Sequence, residues 1–241
     1  MVESEVKIAR NHYSPRSFPP FPHHQGFDLF AVNLAAKEVA GDFYDFFLAG
    51  DDTLALIIAD VSGKGIPASL FMAVSRTVLK NICIHTIDPA QALGEANESL
   101  CQDNEASMFV TLILGYYTIS TGHFIFANAG HDELILLKKD GSIRSFGRFR
   151  NIALGIIEDQ QYQRGEADID PGDSLVFYTD GVTEATSPEK ELFGRERLET
   201  ILEDNAKQSA EDICNAIREE VMEFQQGIRF DDVTIMVLKR D

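Results

Sequence analysis

Beyond residue 25 the chain alternates between short apolar runs and longer stretches in which apolar residues recur at helical spacing. The runs Phe43–Leu48, Leu54–Ala59, Phe109–Tyr117, Phe124–Asn128, Leu134–Lys138, Ser174–Thr179 and Val233–Leu238 are rich in β-branched and aromatic residues and bounded by Gly and Asp, which predicts strands. Three stretches carry helix signals. Pro67 stands at a first helical position after Gly65, with Leu70, Val74 and Val78 as a stripe at four-residue spacing. "DPAQALGEANESL" offers Asp88 as N-cap and Pro89 just inside it. "SAEDICNAIREEVMEF" pairs Ser209 with Asp212 at capping-box spacing and puts Ile213, Ile217, Val221 and Phe224 on one face. Because several strands follow one another between these helices, the pattern predicts an α+β fold rather than strict βαβ alternation.

Four of the eight prolines fall between Pro15 and Pro22, in "SPRSFPPFPHH". Proline lacks the N–H that a helix or an inner strand needs, so this segment reads as an extended arm or linker. The expected organisation is therefore an N-terminal arm over residues 1–25 and one domain over 26–241. Residues 2–10 read as the end of a connecting helix.

Composition narrows the partners. The formal net charge is −18, from 21 basic and 39 acidic residues. Such a surface repels phosphate backbones and anionic lipid, so neither nucleic acid nor membrane insertion is expected. No apolar run approaches the ~18 residues of a membrane span, and "MVESEVKIAR" has none of the apolar core of a signal peptide. Cys83, Cys101 and Cys214 are far apart with no C-x-x-C pair, which predicts reduced, buried thiols in a cytoplasmic protein.

The chemistry is concentrated in aspartates at strand ends. "AGDD" at 49–52 suits a hairpin turn, and folding the chain back there brings Asp42 to the same open sheet end as Asp60. A slip of one residue would turn one side chain over, so the pattern leaves the face open. "DSLVFYTDG" runs an apolar strand into Asp180, and "RFDDVTIMVL" starts one just after Asp231 and Asp232. Any one such aspartate is ordinary strand punctuation. Several together repel by about 1–4 kcal/mol per pair at ~4 Å, and bound Mg²⁺ or Mn²⁺, which prefer oxygen ligands, are the simplest compensation. Spacing does not show that they meet.

Seven segments, "AKEVAGDFYDFF", "ADVSGKGIPASLFMA", "NAGH", "ALGI", "GDSLVFYTDGVTEA", "FGRERL" and "DDVTIMV", lie in an order and spacing that resembles the bacterial SpoIIE/RsbU-like branch of the metal-dependent (PPM, type 2C) serine/threonine phosphatases. The resemblance runs from about Gly26 to Lys239. It implies a central antiparallel β-sandwich flanked by helices on both faces, a four-layer α-β-β-α arrangement. It also implies two Mn²⁺ or Mg²⁺ ions per site, or a third besides, readying a bridging water for attack on phosphoserine or phosphothreonine. By motif position Asp60 would bridge the ions, with the carbonyl of Val61 as a further ligand. Asp180 and Asp231 would hold one ion, and Asp42 would bind directly or through water. Asp45 and Asp232 would lie just behind. The implied substrate is a phosphorylated regulatory protein, such as a STAS-type anti-sigma-factor antagonist. An upstream sensor or receiver domain, often acting through a homodimer, would switch the activity.

Departures from the wider family are specific. Where the animal and plant branch has a histidine two residues after the first strand-end aspartate, this chain has Ser62, leaving the general acid unassigned. Its phosphate-binding arginine is replaced by Lys37, which is either a phosphate contact or a solvated surface lysine. A weakly active domain that docks a partner without turnover is the alternative these departures raise. "SGKGIPAS" is not a Walker A loop, because Lys64 is followed by Gly65; Gly63 and Gly65 instead allow a tight turn. His131 is either a metal or phosphate contact or a hydrogen-bonded structural histidine. The polar segment Thr183–Leu198 reads as a mobile flap leading into a helix.

Overall fold

Ten strands and five helices form, among them the seven strands and three helices the sequence pattern predicts, in a computed structural model that describes residues 26–241 apart from 38, 103 and 228. The predicted arm over 1–25 lies outside the described residues. The first strands are β1 (Phe27–Leu34), β2 (Phe43–Leu48) and β3 (Thr53–Val61), followed by helices α1 (Ile66–Cys83) and α2 (Pro89–Cys101). Then come β4 (Val110–Thr118), β5 (His123–Ala129), β6 (Leu134–Leu137), β7 (Ile143–Phe146), β8 (Arg164–Asp168) and β9 (Ser174–Tyr178). The chain ends with α3 (Asp180–Thr183), α4 (Gly194–Asn205), α5 (Ala210–Phe224) and β10 (Val233–Arg240). Two antiparallel five-stranded sheets result, in the orders β2-β3-β4-β5-β8 and β1-β10-β9-β6-β7. The described chain divides into two compact units, each built around one sheet.

In the unit formed by 39–131 and 147–168, β3 is the central strand. Leu54 through Ala59 are all inaccessible to solvent, so β3 is buried on both faces and reads as an unbroken apolar run rather than an alternating one. Ala55, Ile57, Ala59 and Val61 form one face of a core completed by Ala68, Met72 and Leu79 of α1 and Leu93, Ala96 and Leu100 of α2. Asp88 caps α2 as expected, accepting from the Gln91 amide at 3.0 Å, with Pro89 first in the helix.

Helix α1 departs from the predicted face. Leu70 and Val74 are exposed, and the buried side is Ala68, Ser69, Met72, Ser75, Leu79 and Cys83, with Val78 at its edge. Four-residue spacing locates an apolar stripe but not the stripe that the sheet takes. On the buried side Ser69 Oγ donates to the Ala40 carbonyl at 3.1 Å.

The other unit joins 26–38, 132–146 and 169–241. Val176 and Tyr178 of β9 and Val233, Ile235 and Val237 of β10 pack with Leu198 and Leu202 of α4 and with Ile213, Ile217 and Val221 of α5. The Ser209 cap forms as predicted, its Oγ accepting from the Asp212 amide at 3.1 Å.

The seven predicted strands all form, and three more were not anticipated. β8 has no large apolar residue and lies at a sheet edge, and β7 is a four-residue edge strand. In β1 the period is legible in hindsight, since Phe27, Leu29 and Ala31 alternate as buried positions. Cys83 and Cys214 are buried as expected, but Cys101 is only partly so. Desolvation pushes the Cys83 thiol up to about 11 and raises that of Cys214 further, so both stay neutral. No helix among the described residues is long and apolar enough to cross a membrane.

The α1 register gives a paired expectation. Leu79→Ala should cost about 2–5 kcal/mol in urea unfolding, whereas Leu70→Ala should stay within about 0.5 kcal/mol of the parent. Equal costs would mean that α1 is rotated from the face described.

Candidate functional site

Strands β2 and β3 pair with Phe43 opposite Ala59 and Leu48 opposite Leu54. One step beyond the last pair, this register sets Asp42 across from Asp60, the alignment in which both side chains take the same face. Ala59 and Val61 point to the helices, so by alternation Asp60 points to the other side of the sheet. Asp42 is nevertheless only 4% exposed. On its other flank Asp60 pairs with Thr111 of β4, whose Oγ1 lies 2.9 Å from His131 Nδ1. The His131 backbone is clamped by Asn128, which accepts from its amide at 2.7 Å and donates to its carbonyl at 2.9 Å. His131 is thus hydrogen-bonded through both its ring and its backbone, and its ring partner Thr111 is the residue paired with Asp60.

Val61 closes β3, and the chain then turns through Ser62 and Gly63. The Ser62 amide donates to the Phe109 carbonyl at 2.9 Å, and Ser62 Oγ accepts from the Phe109 amide at 3.0 Å. Ser62, at the position of the missing histidine, thus straps the turn to the start of β4. Gly63 adopts φ +82°, the left-handed region where side chains are disfavoured, which is why the turn takes glycine there.

Asp45 sits apart from Asp42 and Asp60. It lies on the helix-facing side with Phe43 and Phe47, 1% exposed, and its Oδ2 accepts from Arg76 Nε at 3.0 Å. Its Oδ1 accepts from the Phe46 amide. Three residues along a strand reverse the face, so Asp45 ties α1 to β2 instead of backing the strand-end carboxylates. Sequence reasoning had no signal for this pairing, because Arg76 is 31 residues away.

The second unit repeats the design on β9 and β10. Tyr178 pairs with Ile235, the Thr179 amide donates to the Thr234 carbonyl at 3.0 Å, and the Thr234 amide donates to Thr179 Oγ1 at 3.1 Å. Asp180 then opens α3 beside the Asp231–Asp232 end of β10. The backbones approach so closely that a Cβ on Gly181 would lie 1.8 Å from the Asp232 carbonyl oxygen, so only glycine fits after Asp180. Asp232 Oδ1 accepts from the Ala36 amide at 2.7 Å, anchoring the chain that leads to Lys37, an exposed residue. Asp231 Oδ1 accepts from the Asp232 amide.

The predicted flap is folded. Thr186 bridges Leu192, the Phe193 amide donates to the Ala185 carbonyl at 2.8 Å, and Ser187 Oγ accepts from the amides of Glu189 and Glu191. Phe193 anchors it, 2% exposed and edge-on to Phe224.

Strand register thus sets Asp42 across from Asp60 in one unit, and in the other the approach of Gly181 to Asp232 brings Asp180 to the start of β10. Among the described residues no group of three or more His, Cys, Asp or Glu side chains is arranged to hold a metal ion. The donor types still fit one class of ion. Carboxylates paired by strand register, together with backbone carbonyls and without thiolate, suit a hard divalent cation such as Mg²⁺ or Mn²⁺.

The buried Asp45–Arg76 pair makes a stability prediction. Arg76→Met should cost about 3–5 kcal/mol because it strands a buried charge, and adding Asp45→Leu should recover most of that loss. Denaturant titration of the single and double variants measures both; no recovery in the double variant would remove the pairing as the cause.

The family model for stage II sporulation protein E (SpoIIE) matches residues 50–241. The chain is 31% identical to Protein IcfG of Synechocystis over 99% of its own length and 42% of that protein's. It is 30% identical to the phosphoserine phosphatase RsbU of Bacillus subtilis over 99% of its length and 71% of RsbU's. The SiaA PP2C domain of Pseudomonas aeruginosa superposes with a TM-score of 0.84 at 22% identity, covering 99% of this chain and 95% of that one. RsbX, solved in complex with magnesium, shares the fold with a TM-score of 0.66 at 17% identity, over 91% and 98% of the two chains. The chain belongs to the SpoIIE family and is a PPM-type phosphatase domain of its SpoIIE/RsbU branch.

Proposed function

We propose that this domain hydrolyses phosphoserine or phosphothreonine on a regulatory protein partner, of which a STAS-type anti-sigma-factor antagonist is the leading case, with Mn²⁺ or Mg²⁺ bound at its strand-end carboxylates. The observation that carries this reading is the register of β2 on β3, which sets Asp42 against Asp60 in a chain of the SpoIIE family. Asp60 and the Val61 carbonyl, and Asp180 with Asp231, are the groups that would hold two ions, with Asp42 directly or through water. When bound, such ions acidify a water and neutralise the phosphoryl oxygens of a reaction whose unaided rate is negligible.

The chain's own residues then do the positioning. Strands hold the carboxylates on rigid backbone, and the Gly181–Asp232 approach fixes Asp180 relative to the start of β10. The Ser62–Phe109 strap holds the turn after Asp60. A covalent phosphoenzyme is not required, and the buried, neutral Cys83 and Cys214 are unsuited to form one. With Ser62 Oγ bonded to the Phe109 amide, solvent is the natural proton source for the leaving serine oxygen. The same reading includes a cytoplasmic setting and an upstream sensor or receiver domain in the full-length protein, with dimerisation as its means of switching.

The test has two readouts. Phosphate release from a phosphorylated STAS-type protein should require manganese and stop in EDTA, and Asp180→Asn should lower kcat by ~10²-fold or more, the scale of losing one key electrostatic group. Independently, manganese at ~100 times its Kd should stabilise the wild-type fold by about 2.7 kcal/mol, and Asp60→Asn should lose that gain. Full activity of Asp180→Asn, or turnover in EDTA, excludes the mechanism; partner binding without turnover in manganese points to a docking module.

A further inference from the structure

One of the segments carrying the resemblance has no metal-binding side chain and no part in the chemistry above: Ala153-Leu154-Gly155-Ile156. It is fastened from several sides. Leu154 exchanges backbone hydrogen bonds with Val110 at 3.1 and 2.9 Å. Asn97, fully buried on α2, accepts from the Gly155 amide at 3.0 Å and donates to the Ile157 carbonyl at 2.7 Å. Asn104 donates to the carbonyls of Gly155 and Met108 and accepts from the Met108 amide. Gly155 has φ +87°, and a Cβ there would lie 3.0 Å from the Met108 carbonyl oxygen.

This investment of buried polar groups holds two isoleucines outward. Ile156 is 51% and Ile157 57% exposed, and Phe109 beside them is 38% exposed. Burial does not explain side chains that the backbone is so firmly held to expose. Together with Asn104, Ser107 and Glu158 they line a cleft of about 800 Å³. Among the described residues lining it none is basic, and exposed Glu105 and Asp159 adjoin those residues in the chain. The cleft also touches the site: Phe109 is the residue strapped in both directions to Ser62, two positions after Asp60.

We propose that this cleft docks the phosphoprotein substrate, taking an apolar side chain between Ile156, Ile157 and Phe109 and placing adjacent lysine or arginine against Glu158 and its acidic neighbours. The inference rests on the phosphatase reading and extends it to substrate choice. Fixed apolar side chains pay little ordering entropy on binding, and the acidic rim selects against the acidic segments that a chain of this net charge would otherwise meet.

The test uses the full chain with manganese and two substrates: p-nitrophenyl phosphate, too small to reach the cleft, and a phosphoserine peptide with one leucine and two lysines near the phosphoserine. Ile156→Ser and Ile157→Ser should each raise KM for the peptide about 10-fold, the effect of truncating an interface anchor, and Glu158→Lys should do likewise through charge. Turnover of p-nitrophenyl phosphate should stay within about two-fold of wild type, since none of the three residues is among the groups that would hold the ions. A peptide with serine in place of leucine should lose the same factor on the wild type and nothing further on the isoleucine variants, as a pairwise cycle requires. Unchanged KM for the peptide, or equal losses on both substrates, overturns the proposal. If the wild type turns over neither substrate, the phosphatase reading fails by itself. Fluorescence anisotropy of the labelled peptide without metal then decides the cleft: weaker binding by the isoleucine variants supports it and equal binding overturns it.

Discussion

Like charges at the end of a strand pair are the constraint around which this chain is built. An antiparallel register whose next step sets Asp42 opposite Asp60 brings the two residues' backbones to the spacing of a ladder pair, with Cα atoms ~4.5–5.5 Å apart. Neither side chain can escape by moving the backbone, because β3 is the buried centre of its sheet. Like charges set there by the register are the feature on which the proposed binding of a divalent cation rests. At the ends of β9 and β10 a different device acts, an approach of backbones to the Asp232 carbonyl that excludes any side chain at Gly181, next to Asp180.

Much of the surrounding structure is best understood as support for those strand ends. Ser62 straps the turn after Asp60 to Phe109, Thr111 links the neighbouring strand to His131, and Asn128 holds the His131 backbone. Asp232 does for the Ala36 segment what Asn128 does for His131. These are short polar side chains bonding to backbone amides and carbonyls, which rigidify loops at little entropic cost. The Asp45–Arg76 pair serves a separate purpose, fixing α1 against β2 through a buried charge that has no role at the strand ends.

The same economy makes the 153–157 segment conspicuous. Asn97 and Asn104 spend their hydrogen bonds there on a backbone that then exposes Ile156 and Ile157. On the function proposed above, chemistry carried by ions and water supplies no protein selectivity of its own. Selectivity has to come from surface beside the site, and a fixed apolar cleft with an acidic rim is one physical form it can take.

The hairpin through 49–52 and the caps Asp88 and Ser209 were legible in the sequence because each depends on residues within a few positions of one another. The strand-end aspartates were visible for the same reason: an aspartate beside a short apolar run, as in the run that ends on Asp180-Gly181, announces itself locally. What neighbouring residues could not announce was anything depending on which surface meets which. The stripe Leu70, Val74 and Val78 was visible, but only the fit of α1 on the sheet chose Ala68, Met72 and Leu79 as the buried side. Asp45 looked like a companion of Asp42 until strand alternation and Arg76 turned it to the helices. Edge strand β8 carries almost no apolar signal and exists because β5 offers it a ladder of partners. Local chemistry, in short, settled where this chain turns, caps and ends its strands; the matching of faces, a property of pairs of surfaces distant in sequence, was left to the tertiary structure.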